Sequence, residues 1–168
     1  MKMTELIEKK QQKGTYAGVR FSEDSVKRIR AFAKENKIPN RVPHKKFHTT
    51  VLYSRKYLPD YKPQGNVNMV GKPTKFEVWE SQPTPERKCT QCLVLMYDSP
   101  ELVKRHKALV KEHDAEYDFD EYKPHVTLSY NVGEDFDLKE LDPSQIGNID
   151  IVEEYMEELN LDWAKTNA

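Results

Sequence analysis

The chain contains a partial copy of itself. Ser22 stands 26 positions before His48, and Ser99 stands 26 before His125, so a shift of 77 lays His48 on His125, Thr50 on Thr127 and Tyr53 on Tyr130. Both copies read alike around those marks. In the first, residues 15–21 alternate as a strand does, Ser22 with its following acids looks like an N-cap, and Val26, Ile29, Phe32 and Ala33 recur at helical spacing. Ile38-Pro39-Asn40 stops that helix, and 47–54 reads as a strand. In the second, 91–98 is a buried strand and Ser99-Pro100-Glu101 opens a helix to about His113, with Leu102, Val103, Leu109 and Val110 inward. The strand 124–131 closes the unit. A duplicated strand–helix–strand unit within 168 residues, too few for two full cores, predicts one domain of two similar lobes related by approximate two-fold symmetry. The expected class is α+β: a two-lobed, pseudo-symmetric fold with mostly antiparallel strands lining a central cleft and helices outside.

Residues 1–13 form an N-terminal extension, and 14–168 form the single bilobed domain. Pro59, Pro63 and Gly65 mark a loop, 75–80 reads as a strand, 117–122 as an acidic aromatic loop, and 146–163 as one or two further strands. With 33% charged and 37% hydrophobic residues, and no apolar run near the roughly 20 residues of a membrane span, a membrane partner is not expected. The first ten residues lack the apolar stretch of a secretory signal. Two cysteines make no disulfide framework, and the chain is expected in a reducing cytoplasm. The net charge of −1 hides an asymmetry. Residues 1–58 carry 15 Lys and Arg against 5 Asp and Glu, whereas 112–168 carry 3 against 17. So acidic a final third argues against a double-stranded nucleic acid partner. It leaves open a small phosphate-bearing ligand met by a local basic surface, or two blocks that attract each other across the fold.

The aligned strands read Phe47-His48-Thr49-Thr50-Val51-Leu52 and Pro124-His125-Val126-Thr127-Leu128-Ser129. Side chains two apart on a strand share a face, so each His-x-Thr presents an imidazole and a hydroxyl together. In a two-lobed cleft, two imidazoles and two hydroxyls surround one volume. The plainer alternative is a pair of half-buried sheet histidines bonded to neighbouring threonines. The set suits metal-free cleavage of a phosphodiester. An imidazole titrates near 6.5, so one can act as base while its partner holds a proton. Threonine hydroxyls donate to phosphoryl oxygens where charge grows in the transition state. A ribonucleotide brings its own nucleophile, the 2′-hydroxyl, already beside the phosphorus.

Two such strands on a duplicated lobe resemble the 2H phosphoesterase superfamily. The wider text is similar to the phage anti-CBASS protein 1 family within it: Gly14-Thr15-Tyr16, Lys46 through Ser54, Tyr122 through Asn131, and Glu157-Glu158-Leu159-Asn160-Leu161-Asp162-Trp163. The extension before Gly14 and the acidic stretch between Asn131 and Ile151 depart from the family's pattern. The resemblance implies a metal-independent phosphodiesterase, without cofactor, acting on 3′,5′-linked cyclic di- and trinucleotides in the cytoplasm of the infected bacterial host. It implies His48, Thr50, His125 and Thr127 as catalytic residues, and Tyr16, Tyr117, Phe119, Glu157 and Trp163 as nucleobase contacts. Without it, Tyr16 and Trp163 are equally readable as core aromatics. Two other readings stand beside it: a phosphodiesterase for 2′,5′-oligoadenylate or RNA ends, and a nucleotide-sequestering protein without turnover.

Other motifs carry less. Cys89-Thr90-Gln91-Cys92 is a lone C-x-x-C, better read as leading to a packed thiol than as a zinc site. His44 and His48 lack the glutamate of H-E-x-x-H. His106 and His113 share a helix face and are expected at its surface. Trp79 ends a strand as core or as cleft wall.

Overall fold

The computed structural model describes residues 13–54, 57–81, 85, 89–113 and 121–160. Strand β1 (Lys13–Phe21) leads into helix α1 (Glu23–Glu35), then a 3-10 turn at His44–Lys46, β2 (Thr49–Ser54) and the long β3 (Gly65–Glu80). Then β4 (Gln91–Asp98), α2 (Pro100–His113) and β5 (His125–Ser129) repeat the first unit, and a 3-10 turn at Pro143–Gln145 precedes β6 (Ile149–Asn160). The strands form one antiparallel sheet in the order β2-β1-β6-β3-β4-β5. Read inward from either edge, the order is helix-following strand, helix-preceding strand, long central strand. The 16-residue β3 joins the halves, because Gly65 to Gly71 pair with β6 while Lys72 to Glu80 pair with β4.

Matched local chemistry starts both helices. The Ser22 hydroxyl accepts from the Ser25 amide at 3.2 Å, and the Ser99 hydroxyl accepts from that of Leu102 at 3.4 Å. Such a cap contributes about 1 kcal/mol. Ile29, Phe32 and Ala33 of α1 and Leu102 and Leu109 of α2 enter the core that also takes Ala17, Val19, Val51, Leu93, Leu95, Val126 and Leu128 from the strands. The helices thus cover one side of the sheet's apolar residues. Glu154 of β6 is fully buried and accepts from Arg105 Nε and Nη2 at 2.7 and 3.0 Å, from the Tyr61 hydroxyl at 3.0 Å and from the Gln64 amide at 2.8 Å. Burial pushes its carboxyl upward, but Arg105 and the Gln64 amide outweigh that and hold it below the usual carboxylate range. One carboxylate therefore ties α2, the β2–β3 connection and the central strand together.

The structure corrects several sequence expectations. Strand β3 starts at Gly65, ten residues before the expected 75. Residues 65–70 alternate between half-exposed and exposed, and Gly71 and Pro73 interrupt any propensity signal. Gly71 is required because a Cβ there would lie 2.5 Å from the Tyr97 ring, and Pro73 sits at a register shift where a missing amide is tolerated. Strand β2 starts two residues late because the 3-10 turn occupies the approach, and β5 is confined to His125–Ser129. His106 is not at the surface: it is 5% exposed on the inward face of α2. Cys92 is half-buried, with its thiol 3.5 Å from the Tyr130 carbonyl, while Cys89 is exposed.

Candidate active site

The outer strands of the order, β2 and β5, meet. Thr49 Oγ1 donates to the His125 carbonyl at 2.7 Å and accepts from the buried Tyr97 hydroxyl at 2.7 Å. The Val42 amide donates to the Leu128 carbonyl at 2.8 Å. Along both motifs the burial pattern is identical: His48 and Thr50 half-buried around buried Thr49, His125 and Thr127 half-buried around buried Val126. Alternation then breaks at the same place. Val51 and Leu52 are both buried, as are Leu128 and Ser129, because each strand bulges there. On β2 the register passes from Gly18 opposite Thr50 to Ala17 opposite Leu52, skipping Val51. On β5 it passes from Val94 opposite Thr127 to Leu93 opposite Ser129, skipping Leu128. A bulge bends its strand and re-aims the side chains beside it.

The imidazoles are held in the same way. His48 Nδ1 lies 2.8 Å from the Lys46 carbonyl and His125 Nδ1 lies 2.9 Å from the Lys123 carbonyl, two residues upstream in each case. A carbonyl only accepts, so Nδ1 carries the hydrogen in both rings and Nε2 is the lone-pair nitrogen of the neutral ring. Burial lowers the pKa of His125, and a positive His48 lowers it further, against the opposing pull of the Lys123 carbonyl and Glu77. His125 is thereby biased toward the neutral ring.

Two adjoining cavities open beside these groups and share Thr50 and Tyr53 in their walls. The larger, about 840 Å³, has His125, Trp79, Tyr122, Val78, the carboxylates of Glu77, Glu80 and Glu121 and the cation of Lys123. Trp79 packs on His125 with ring centroids 4.4 Å apart, so it is cleft wall, and its indole N–H donates to Glu77 at 3.1 Å. The smaller, about 480 Å³, has His48, Tyr16, Tyr155 and Glu157 with the cations of Arg20, Lys45 and Lys46. Arg20 lies over the Tyr155 ring at 3.9 Å and pairs with Glu153 at 2.5 Å, one link between the basic and acidic blocks.

Of the residues singled out in the sequence, His48, Thr50, Tyr16 and Glu157 therefore share the smaller chamber, His125 lines the larger, and Thr127 follows on the His125 face of β5. Tyr16 is 9% exposed, and its hydroxyl is 2.9 Å from Thr50 Oγ1. Burial raises its pKa, so it remains a protonated hydroxyl. Tyr117, Phe119 and Trp163 lie outside the described residues. Sequence reasoning left Trp79 undecided and passed over Tyr122, Tyr155 and Arg20. The signal available for Tyr122 was its position three residues before the second histidine.

The chain's residues 13–166 match the family model described as anti-CBASS protein Acb1. It is 34% identical over 157 residues to the anti-CBASS protein Acb1 of Salmonella phage S16, covering 90% of this chain and 92% of that one. Identity to the Enterobacteria phage T4 protein of the same name is 37% over 153 residues, covering 90% and 91%. For Vibrio phage KVP40 it is 31% over 168 residues, covering 99% of both. Among solved structures, Escherichia coli LigT complexed with phosphate superposes with a TM-score of 0.52 at 12% identity, covering 86% of this chain and 85% of that one. With that likeness in fold and that identity in sequence, the chain belongs to the anti-CBASS protein Acb1 family, on a 2H phosphoesterase-type fold.

Proposed function

We propose that this protein is a metal-independent phosphodiesterase that opens 3′,5′-linked cyclic di- and trinucleotides in the infected bacterial cytoplasm, removing the signal on which CBASS defence depends. One observation carries the reading: two imidazoles, His125 on β5 and His48 immediately before β2, on segments that touch, each with Nδ1 tied to the carbonyl two residues upstream and Nε2 left for chemistry. In the reaction, His125 Nε2 takes the proton of the substrate's 2′-hydroxyl as its oxygen bonds to phosphorus. The bond to the 5′-oxygen breaks, and His48 Nε2–H supplies that oxygen's proton. The first product is a linear nucleotide ending in a 2′,3′-cyclic phosphate. Burial of His125 favours the neutral ring that a base requires, which leaves the donor role to His48. Thr50 and Thr127 donate to the phosphoryl oxygens, each such donor contributing on the order of 10²-fold. Tyr16 and Glu157 in the smaller chamber, with Tyr117, Phe119 and Trp163, contact the bases through stacking and carboxylate hydrogen bonds.

Incubation with 3′,3′-cyclic GMP–AMP in excess EDTA, followed by mass analysis, tests this directly. A linear product is expected, and an intact ring with folded protein rejects the reading. Parallel arms with 2′,5′-oligoadenylate and RNA ends identify a different substrate. Ligand protected by the His48→Ala/His125→Ala variant but never consumed by the wild type identifies sequestration instead.

A further inference from the structure

The two bulges that flank the threonines match in position but not in how they are held. In β5 the carbonyl of the extra residue, Leu128, is taken by a main-chain amide, that of Val42 at 2.8 Å. In β2 the corresponding Val51 carbonyl is taken by a side chain, His106 Nδ1 at 2.7 Å. The adjacent Thr50 carbonyl accepts from the Tyr122 hydroxyl at 2.6 Å. A bulge leaves its extra residue outside the ladder, so the donors that meet its carbonyls decide how the strand bends. The donors brace each other as well. The rings of His106 and Tyr122 stack at 4.2 Å between centroids, 12° from parallel. Both belong to the second half, His106 on α2 and Tyr122 just ahead of β5, and both grip the first. The side chain has its own partner: Thr50 Oγ1 meets the Tyr16 hydroxyl at 2.9 Å. Thr50 is thus held through both its main-chain carbonyl and its hydroxyl. The proton transfers proposed above use neither His106 nor Tyr122.

We propose that His106 and Tyr122 are positioning residues for Thr50: by gripping the two carbonyls of the β2 bulge, they aim its hydroxyl at the phosphoryl oxygen. This role rests on the phosphodiesterase reading above. It predicts that their contribution to turnover passes through Thr50 and not through Thr127, whose bulge is held by main chain.

A double-mutant cycle in the intact chain tests the assignment. Tyr122→Phe removes the hydroxyl and keeps the ring stack, and His106→Phe does the same for the imidazole donor. Turnover of 3′,3′-cyclic GMP–AMP is measured for each alone and combined with Thr50→Ala or Thr127→Ala. Tyr122→Phe is expected to lower kcat about tenfold, with KM within about twofold. The same factor is expected in the Thr127→Ala background, but less than about twofold in the Thr50→Ala background, because the hydroxyl being aimed is gone. Equal losses in all three backgrounds, or none in the wild type, overturn the proposal. A crystal structure of the His106→Phe/Tyr122→Phe variant gives a reading that needs no substrate. The 2.9 Å contact between Thr50 and Tyr16 should break, and its survival unchanged overturns the proposal. Absence of turnover by the wild-type chain counts instead against the phosphodiesterase reading, and the crystallographic arm then decides the bulge alone.

Discussion

The first His-x-Thr strand and the second share a frame and differ in setting. Each presents an imidazole oriented by a carbonyl two residues upstream, a hydroxyl on the same face, and a bulge just beyond it. Around that frame the halves diverge. His125 lies under Trp79 in a chamber with three carboxylates against one cation, Lys123, whereas His48 faces Tyr16 edge-on, 6.2 Å between ring centroids, in a chamber with three cations against one carboxylate, Glu157. The extra residue of the second bulge is held by main chain, and the first bulge by an imidazole and a phenol. Duplication supplied two equivalently held imidazoles, and in the reaction proposed above their unequal surroundings suit them to different tasks. A covered ring is biased to be neutral, and a ring amid cations and aromatics is placed to meet an anion.

Removing each imidazole should break the equivalence most visibly. His48→Ala and His125→Ala are each expected to lower kcat on the cyclic substrate by about 10²- to 10⁴-fold. On a uridine 3′-phosphoester with a p-nitrophenolate leaving group, which needs no proton, His48→Ala should recover most of its loss and His125→Ala should not. Recovery in the opposite variant reverses the two roles.

The pH profile gives a smaller, directional effect. With His125 as the base in the proposed reaction, kcat/KM is expected to fall as pH drops through its pKa, which burial holds below the usual 6.5. Trp79→Ala admits water over that ring, which raises its pKa, so the acid limb should move toward higher pH while the plateau changes less. An unmoved limb would show that Trp79 is not what covers the base.

The smallest effect concerns the cationic chamber. Lys45→Gln/Lys46→Gln should raise KM by about three- to tenfold at low ionic strength, and the difference should shrink as salt screens it. A salt-independent change would argue for a steric role of the His44–Lys46 turn. Glu80→Gln, in the other chamber, should leave KM the same or lower it.

What the sequence determined alone was the architecture and the kind of side chains offered to the cleft. Caps at Ser22 and Ser99, apolar spacing along both helices and the continuous apolar run within 91–98 are local signals, and each is present where α1, α2 and β4 form. The 77-residue offset carried the pseudo-symmetry, and the paired His-x-Thr motifs pointed to imidazole and hydroxyl chemistry. Tertiary structure decided whatever depends on a partner strand or a neighbouring surface. The first half of β3 has weak propensity and is held by β6, and a bulge exists only as a mismatch between two chains of residues. His106 looks like any polar helix residue until β2 offers it a carbonyl, and Tyr122 joins the site because the halves meet there. Local patterns record which face a residue prefers. Which carbonyl, ring or charge it meets is set by the packing of segments far apart along the chain.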